Sequence, residues 1–197
     1  EITKDLVSII IPYYRKKKYI LKTINSILNQ SYNYFEIIII YDDENQDDYE
    51  FIKNFEKKDK RIKIIKNDKN YGAGLSRNIG IANSKFELIA FLDCDDLWEK
   101  NKLNDQINFM NENNYEFSFT SYDIINNENK KIGKRIAKRY LSFNDLIKSC
   151  DIGLSTVVLN LNFIVKNKLF FPKIKTKEDY ILWLKIIDKI KIIRGIN

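Results

Sequence analysis

Residues 88–96 read LIAFLDCDD, a short apolar run from Leu88 to Leu92 that passes straight into Asp93, Cys94, Asp95 and Asp96. A run of this length without alternation reads as a strand buried on both faces, the kind found in parallel sheets covered by helices. Three carboxylates within four residues repel one another unless something neutralises them. A divalent cation is one candidate, because hard oxygen ligands suit Mg²⁺ or Mn²⁺ and few protein ligands leave positions for phosphate oxygens and water. The other is the start of the helix that the pattern predicts over residues 100–111, since carboxylates cap free N–H groups and oppose the helix dipole.

Working back from this stretch, the same unit repeats. Val7 to Ile11 is a buried-strand run stopped by Pro12, and Ile20, Leu21, Ile24, Ile27 and Leu28 mark the apolar stripe of the helix that follows. Phe35 to Tyr41 predicts a second strand, ending at Asp42 and Asp43, with a helix near residues 49–57. Ile62 to Lys66 predicts a third, leading through Asn70, Tyr71, Gly72, Ala73 and Gly74 into a helix around residues 75–83 with Arg77 in its first turn. Strands alternating with helices predict an α/β fold with a mostly parallel sheet. In open sheets of this kind ligands bind outside the carboxyl ends of the strands, so Pro12 to Arg15, Asp42 with Asp43, and Asp93 to Asp96 should converge on one crevice.

Working forward, the pattern is less regular: strand-like 117–122, a polar turn at 126–129, a basic segment, a helix near 143–149, a strand near 156–159, a helix from about Glu178 and a strand-like 191–197. No internal repeat and no Pro- or Gly-rich linker interrupts the chain, which predicts a single domain over residues 1–197. Glu178 and Asp179, in a first helical turn, complement the dipole, or supply a general base if the fold turns them into the crevice. Asp42 and Asp43 either start a turn or accept hydrogen bonds from a ribose or base.

Composition removes several classes of function. The 197 residues are 44% hydrophobic and 31% charged, which is globular rather than disordered. No apolar run approaches the roughly 18 residues of a membrane span. The sequence has no histidine, which removes Ser-His-Asp and Cys-His catalysis and histidine metal ligation. Pro12, Tyr13, Tyr14 and Arg15 follow the first strand without a glycine, so neither the dinucleotide fingerprint nor the P-loop is present. Two cysteines, Cys94 and Cys150, make no disulfide framework, and with no signal peptide at the start the expected compartment is the cytoplasm. The net charge is +7, with its one dense patch at Lys130 to Arg139, KKIGKRIAKR, six cations without an acid. That segment reads as a contact for an anionic membrane surface or phosphate-bearing acceptor, or as a hairpin edge guarded by lysines. A nucleic-acid partner is not expected, because no such module is present and aromatics are not interleaved with the patch.

Taken in order, these pieces resemble the family 2 glycosyltransferases of the GT-A fold, inverting enzymes that build bacterial polysaccharides and glycolipids. Val7 to Tyr14, VSIIIPYY, resembles the family's opening strand with its P-x-Y element, and Ile24 to Tyr32, INSILNQSY, the helix after it. Tyr41-Asp42-Asp43 is similar to V-D-D, Asn70 to Gly80 (NYGAGLSRNIG) to N-x-G-x-x-x-A-R-N-x-G, Phe91 to Asp96 to F-L-D-x-D-D, and Glu178 to Trp183 to E-D-x-x-L-W. The resemblance implies a donor half over residues 1–113 and an acceptor half over 114–197. It implies that Pro12, Tyr14 and Asp43 hold the base of a nucleotide-sugar, UDP-linked by preference, with Asp42 beside it, Arg77 near the ribose or phosphate, and Cys94 within the same donor loop. Asp93 and Asp95 become the D-x-D pair, Asp95 the direct ligand of Mn²⁺ or Mg²⁺, Asp93 the ribose partner, with Asp96 assisting either. Asp179 becomes the general base and Glu178 its support, in an in-line displacement onto a glycan or lipid-linked acceptor at the inner face of the membrane. Two positions depart from the pattern: Glu44-Asn45 replaces the usual Gly-Ser, and the chain stops after 191–197 where relatives continue, so a C-terminally shortened chain is expected. Against this stand a sugar nucleotidyltransferase, which needs a glycine-rich loop after the first strand, and a non-catalytic nucleotide-sugar binder.

Overall fold

The computed structural model describes residues 5–197. The expectations about the start of the chain fall on residues 1–4, outside the described residues. Four strands, β1 (Val7–Tyr13), β2 (Phe35–Tyr41), β3 (Ile62–Lys66) and β4 (Leu88–Phe91), alternate with helices α1 (Lys17–Leu28), α2 (Tyr49–Lys58), α3 (Ala73–Asn83) and α4 (Lys102–Asn113). There follow β5 (Phe117–Thr120), β6 (Tyr122–Ile125), β7 (Lys131–Arg135), β8 (Tyr140–Ser142), α5 (Phe143–Lys148), β9 (Val158–Asn160), α6 (Leu161–Lys166), α7 (Glu178–Ile190) and β10 (Ile192–Ile196). Eight strands form one sheet in the order β3-β2-β1-β4-β9-β5-β10-β8. β1, β2, β3 and β4 are parallel, β10 is parallel to β5, and β9 and β8 enter antiparallel, so the sheet is mostly parallel as the sequence predicts.

The sheet is the middle of three layers. Successive strand residues face opposite sides, and β1 shows the division: Val7, Ile9, Ile11 and Tyr13 join a core with α1, α2 and α4, while Ile10 joins one with α3, α5, α6 and α7. Isoleucine fills β1 and β2 because a strand covered on both faces has no solvent side to make polar. Close approach of α3 to β1 requires Gly80, where a Cβ would lie 2.4 Å from Ile10 Cγ2.

The structure departs from the sequence expectations in identifiable places. Pro12 continues β1 instead of ending it, opposite Ile40. The carbonyls of Leu6 and Ile10 accept from the β4 side, so the missing N–H of Pro12 faces the same side, beyond the last β4 pairing, and costs no ladder bond. Leu21 is exposed, and the fourth inward position of α1 belongs to Thr23. The strand expected over 117–122 breaks at Ser121, whose N–H donates to Ile196 O and whose hydroxyl accepts from Ala137 N–H. Beyond the break β6 leaves the main sheet and pairs with β7, so the basic segment forms one arm of a hairpin. No helix among the described residues is long and apolar enough to cross a membrane.

Candidate active site

The acidic loop is built by backbone continuation of β4. Leu92 N–H still donates to Ile10 O, and the chain then turns, with Asp96 N–H donating to Asp93 O at 3.0 Å. Thr23, buried on α1, directs its hydroxyl between Cys94 O (3.0 Å) and Asp96 O (2.9 Å). Around this frame the three carboxylates diverge. Asp93 accepts from Arg77 Nη2 at 2.8 Å, Asp95 pairs with Lys16 Nζ at 2.7 Å, and Asp96 accepts from Ser155 Oγ at 2.6 Å. The same Ser155 hydroxyl accepts the Asp93 N–H at 3.1 Å. Burial, above all, raises the Asp96 carboxyl above its ordinary range, the neighbouring Asp93 and Asp95 adding to the shift. The repulsion anticipated among three acids is thus relieved by three separate protein groups. Cys94 packs in the core with α1, its thiol pushed up to about 12 mainly by burial and in contact with the Tyr14 backbone, while its carbonyl accepts from Thr23.

Arg77 joins this loop to the start of α7. Its side chain is buried over the Phe171 ring, and Nη1 donates to Glu178 Oε1 at 2.8 Å while Nη2 holds Asp93. The resemblance puts Arg77 beside a ribose or phosphate; in the structure its two terminal nitrogens are taken by carboxylates, and only the buried Nε has no partner. Glu178 fits because residue 74 is glycine, where a Cβ would lie 3.0 Å from Glu178 Cγ. Asp179 follows, accepting from Tyr180 N–H at 2.8 Å, and burial is the main cause that raises its carboxyl above the usual aspartate range.

The ends of β1 and β2 meet the acidic loop through two adjacent cations: Arg15 Nε reaches Asp43 at 3.1 Å while Lys16 reaches Asp95. The expected convergence of strand ends is therefore present. Asp43 is buried and also accepts from Asn45 N–H at 3.1 Å, the turn that Glu44-Asn45 adopts in place of Gly-Ser. Tyr14 stands exposed beside the Arg15 guanidinium, 4.9 Å from its ring, and Pro12 is half-buried. Asp42 is buried and turned to the glycine loop, accepting from Asn67 Nδ2 (2.7 Å), Tyr71 N–H (2.8 Å) and Gly72 N–H (2.8 Å). Those bonds hold Gly72 at φ 84°, a conformation glycine takes without strain. The sequence reading passes over Asn67, although it ends β3 as Asp42 follows β2. Thr23, Lys16 and Ser155 carry no such signal, since each meets the loop across more than 55 residues of chain.

No three Asp, Glu, Cys or His side chains cluster around a common point among the described residues. The donor set nevertheless fits a hard divalent cation. Asp93 and Asp95 have side chains 37% and 40% exposed, each with one cationic partner, and the Lys16 partner of Asp95 is itself half-exposed. Two oxygen ligands with the remaining positions open is the arrangement in which phosphate and water complete Mg²⁺ or Mn²⁺. Asp96 is exposed as well, with one carboxylate oxygen engaged by the Ser155 hydroxyl. A cavity of about 360 Å³ lined by Asp5, Glu87 and Glu116 lies at the opposite ends of the strands and contains none of these residues.

Comparison with known proteins agrees with this geometry. The family model described as glycosyl transferase family 2 matches residues 8–171. A UDP-Glc:alpha-D-GlcNAc-diphosphoundecaprenol beta-1,3-glucosyltransferase of Escherichia coli, WfgD, is 42% identical over 182 residues, 92% of this chain and 70% of that protein. A second E. coli enzyme of the same description, WfaP, is 40% identical over 94% of this chain and 71% of its own length. Among solved structures, S. aureus TarS in complex with UDP superposes with a TM-score of 0.79 at 21% identity, over 96% of this chain and 57% of TarS. A Pyrobaculum calidifontis mannosyltransferase in complex with GDP-Man and Mn²⁺ does so at 0.73 and 12% identity, over 98% of this chain and 55% of that one. This chain thus spans somewhat more than half the length of those structures.

Proposed function

Because the chain belongs to glycosyl transferase family 2, we propose that it moves a hexose from a nucleoside diphosphate, UDP by preference, to a hydroxyl of a lipid-linked glycan with inversion at the anomeric carbon. Membership makes it a glycosyltransferase with the GT-A fold, related to enzymes of bacterial polysaccharide and glycolipid synthesis. The observation that carries the proposal is the Arg77 bridge, which holds the acidic loop after β4 and the acidic start of α7 at one crevice.

In this reading residues 1–113 form the donor side and residues 114–197 the acceptor side of one domain. Tyr14 and Pro12 offer a surface for the base, and Asp43 accepts from it once Arg15 swings to the diphosphate. Asp42 acts at one remove by fixing the glycine loop, and Arg77 positions Asp93 for the ribose. Asp95, with Asp93, is the ligand for Mn²⁺ or Mg²⁺, which when bound neutralises charge on the departing diphosphate. Asp179 takes the acceptor proton; such base catalysis is worth about 10² to 10⁴ in rate. Glu178, tied to Arg77, keeps the start of α7 in place. The named acceptor of the E. coli relatives supports a lipid-diphosphate-linked sugar here, reached at the cytoplasmic face of the membrane. The hairpin of β6 and β7 is the part of the chain suited to a peripheral membrane contact.

Calorimetric titration with UDP, GDP and CDP, each with Mn²⁺ and again with EDTA, tests the donor side. UDP should bind with metal, and Asp95→Asn should lose most of the metal-dependent part. Equal binding with and without metal in both proteins would refute the ligand assignment. With an acceptor present, UDP and not pyrophosphate should accumulate.

A further inference from the structure

α5 ends where α7 begins. Tyr180 Oη donates to Leu146 O at 3.1 Å, tying the two helices together, and between them lies a cavity of about 300 Å³. Asp179 is the single carboxylate in its lining. Two lysines, Lys148 at the end of α5 and Lys177 just before α7, share that lining, and neither makes an ion pair among the described residues. Lys177 is the residue that opens α7, at φ 62°. Ile147, half-exposed, Ser149, Cys150 and Tyr180 complete the wall. None of the donor-side residues named above, the loop acids, Arg15, Lys16 or Tyr14, lines this cavity. It is a second ligand-sized volume that meets the reaction only through Asp179.

Two exposed lysines outside any ion pair among the described residues, with Asp145 on α5 the acid that Lys148 feels, line a cavity that holds one carboxylate, which suits a ligand that carries both a hydroxyl and an anion. We propose that the cavity holds the acceptor and that Lys148 and Lys177 grip its phosphate, so that the acceptor is a glycosyl phosphate or diphosphate whose sugar hydroxyl faces Asp179. Ile147 lies where an apolar aglycone would leave. This rests on the reading of Asp179 as the acceptor-side base. In the step itself the hydroxyl proton passes to the Asp179 carboxylate, the oxygen forms the new bond to the anomeric carbon, and the bond from that carbon to the nucleoside diphosphate breaks with its electron pair leaving on the phosphate oxygen.

The test compares a short-chain GlcNAc-diphosphoryl lipid with the alkyl glycoside of the same sugar, for the chain and its Lys148→Gln/Lys177→Gln variant. Charge-assisted contacts to phosphate are each worth about 1.5–3 kcal/mol, so the variant should raise KM for the diphosphate acceptor by at least about tenfold. Its preference for the phosphorylated acceptor over the glycoside should collapse, with UDP affinity by calorimetry reporting an intact donor site. A second readout needs no turnover. Cys94 is buried and Cys150 is the exposed thiol, so modification of Cys150 by dithiobis(nitrobenzoate) should be slowed by the diphosphoryl lipid and not by UDP. A variant that keeps its preference, or Cys150 modification indifferent to the lipid, overturns the inference. Absence of UDP release with any acceptor, while Cys150 is still protected, would instead count against the functional reading and leave the phosphate site standing.

Discussion

At the scale of single residues, Arg77 and Asp179 carry the most weight. Removing Arg77 leaves Glu178, largely buried, and Asp93, in part exposed, without the cation that bridges them. Breaking a buried pair costs about 3–5 kcal/mol, and Asp93's exposure puts Arg77→Met at the low end, about 3 kcal/mol, measurable by urea unfolding. Arg77→Lys should recover only part, because one ammonium cannot fork between two carboxylates. Asp179→Asn should lower kcat by about 10² or more while UDP binding stays near that of the native chain. Its pH behaviour follows from the upward shift. Burial favours the protonated form in the fold, so that stabilising contribution is complete below the ordinary value of 3.8 and is lost as pH rises through the raised one. Asp179→Asn, neutral throughout, should therefore raise Tm at pH 7, with the gain fading in acid, and the acid limb of the native kcat/KM profile should lie above 3.8. The acids themselves are legible in the sequence because each follows a strand or opens a helix. Their partners are not: Ser155 and Lys16 reach the loop only once the sheet has formed, and no local pattern announces them.

At the scale of elements, legibility follows burial and length. β2, β3 and α7 can be read to their first residue because a mostly apolar run of strand length, interrupted by Glu36 in β2 and Lys63 in β3, or a clear helical stripe has a single periodicity. β8 and α6, three and six residues long, carry too little pattern to be distinguished from loop, and the break at Ser121 depends on contacts with Ile196 and Ala137. The close packing of α3 on β1 makes a sharp prediction. Gly80→Ala would drive a methyl into Ile10 in a strand that cannot shift, and should cost about 1–3 kcal/mol in urea unfolding, whereas Ala73→Gly, in the first turn of the same helix, should cost less than 1 kcal/mol.

At the scale of the whole molecule, the charged residues of the candidate site gather at the ends of β1, β2 and β4, while the segment from Lys130 to Arg139, which contains β7, carries Ile132 67% and Ile136 62% exposed among six cations, of which Lys130 pairs with Glu128 and Lys131 with Asp123. Apolar side chains set among lysines and arginines suit the boundary of an anionic bilayer. Vesicles containing phosphatidylglycerol should sediment the chain, less so in high salt, and Ile132→Asp/Ile136→Asp should abolish it; co-sedimentation equal to that on neutral vesicles would remove the membrane assignment. The sheet order also has a temporal side. β8 hydrogen-bonds within the sheet to β10 alone, and Arg77 meets Asp93 16 residues on but Glu178 only 101 residues on. On a ribosome, therefore, the first four strands can assemble as they emerge, whereas the far edge waits for the last. During that interval Arg77 is a half-satisfied cation, and its second bond forms only when the emerging chain supplies α7, so the candidate site closes after the four strands that frame it have assembled.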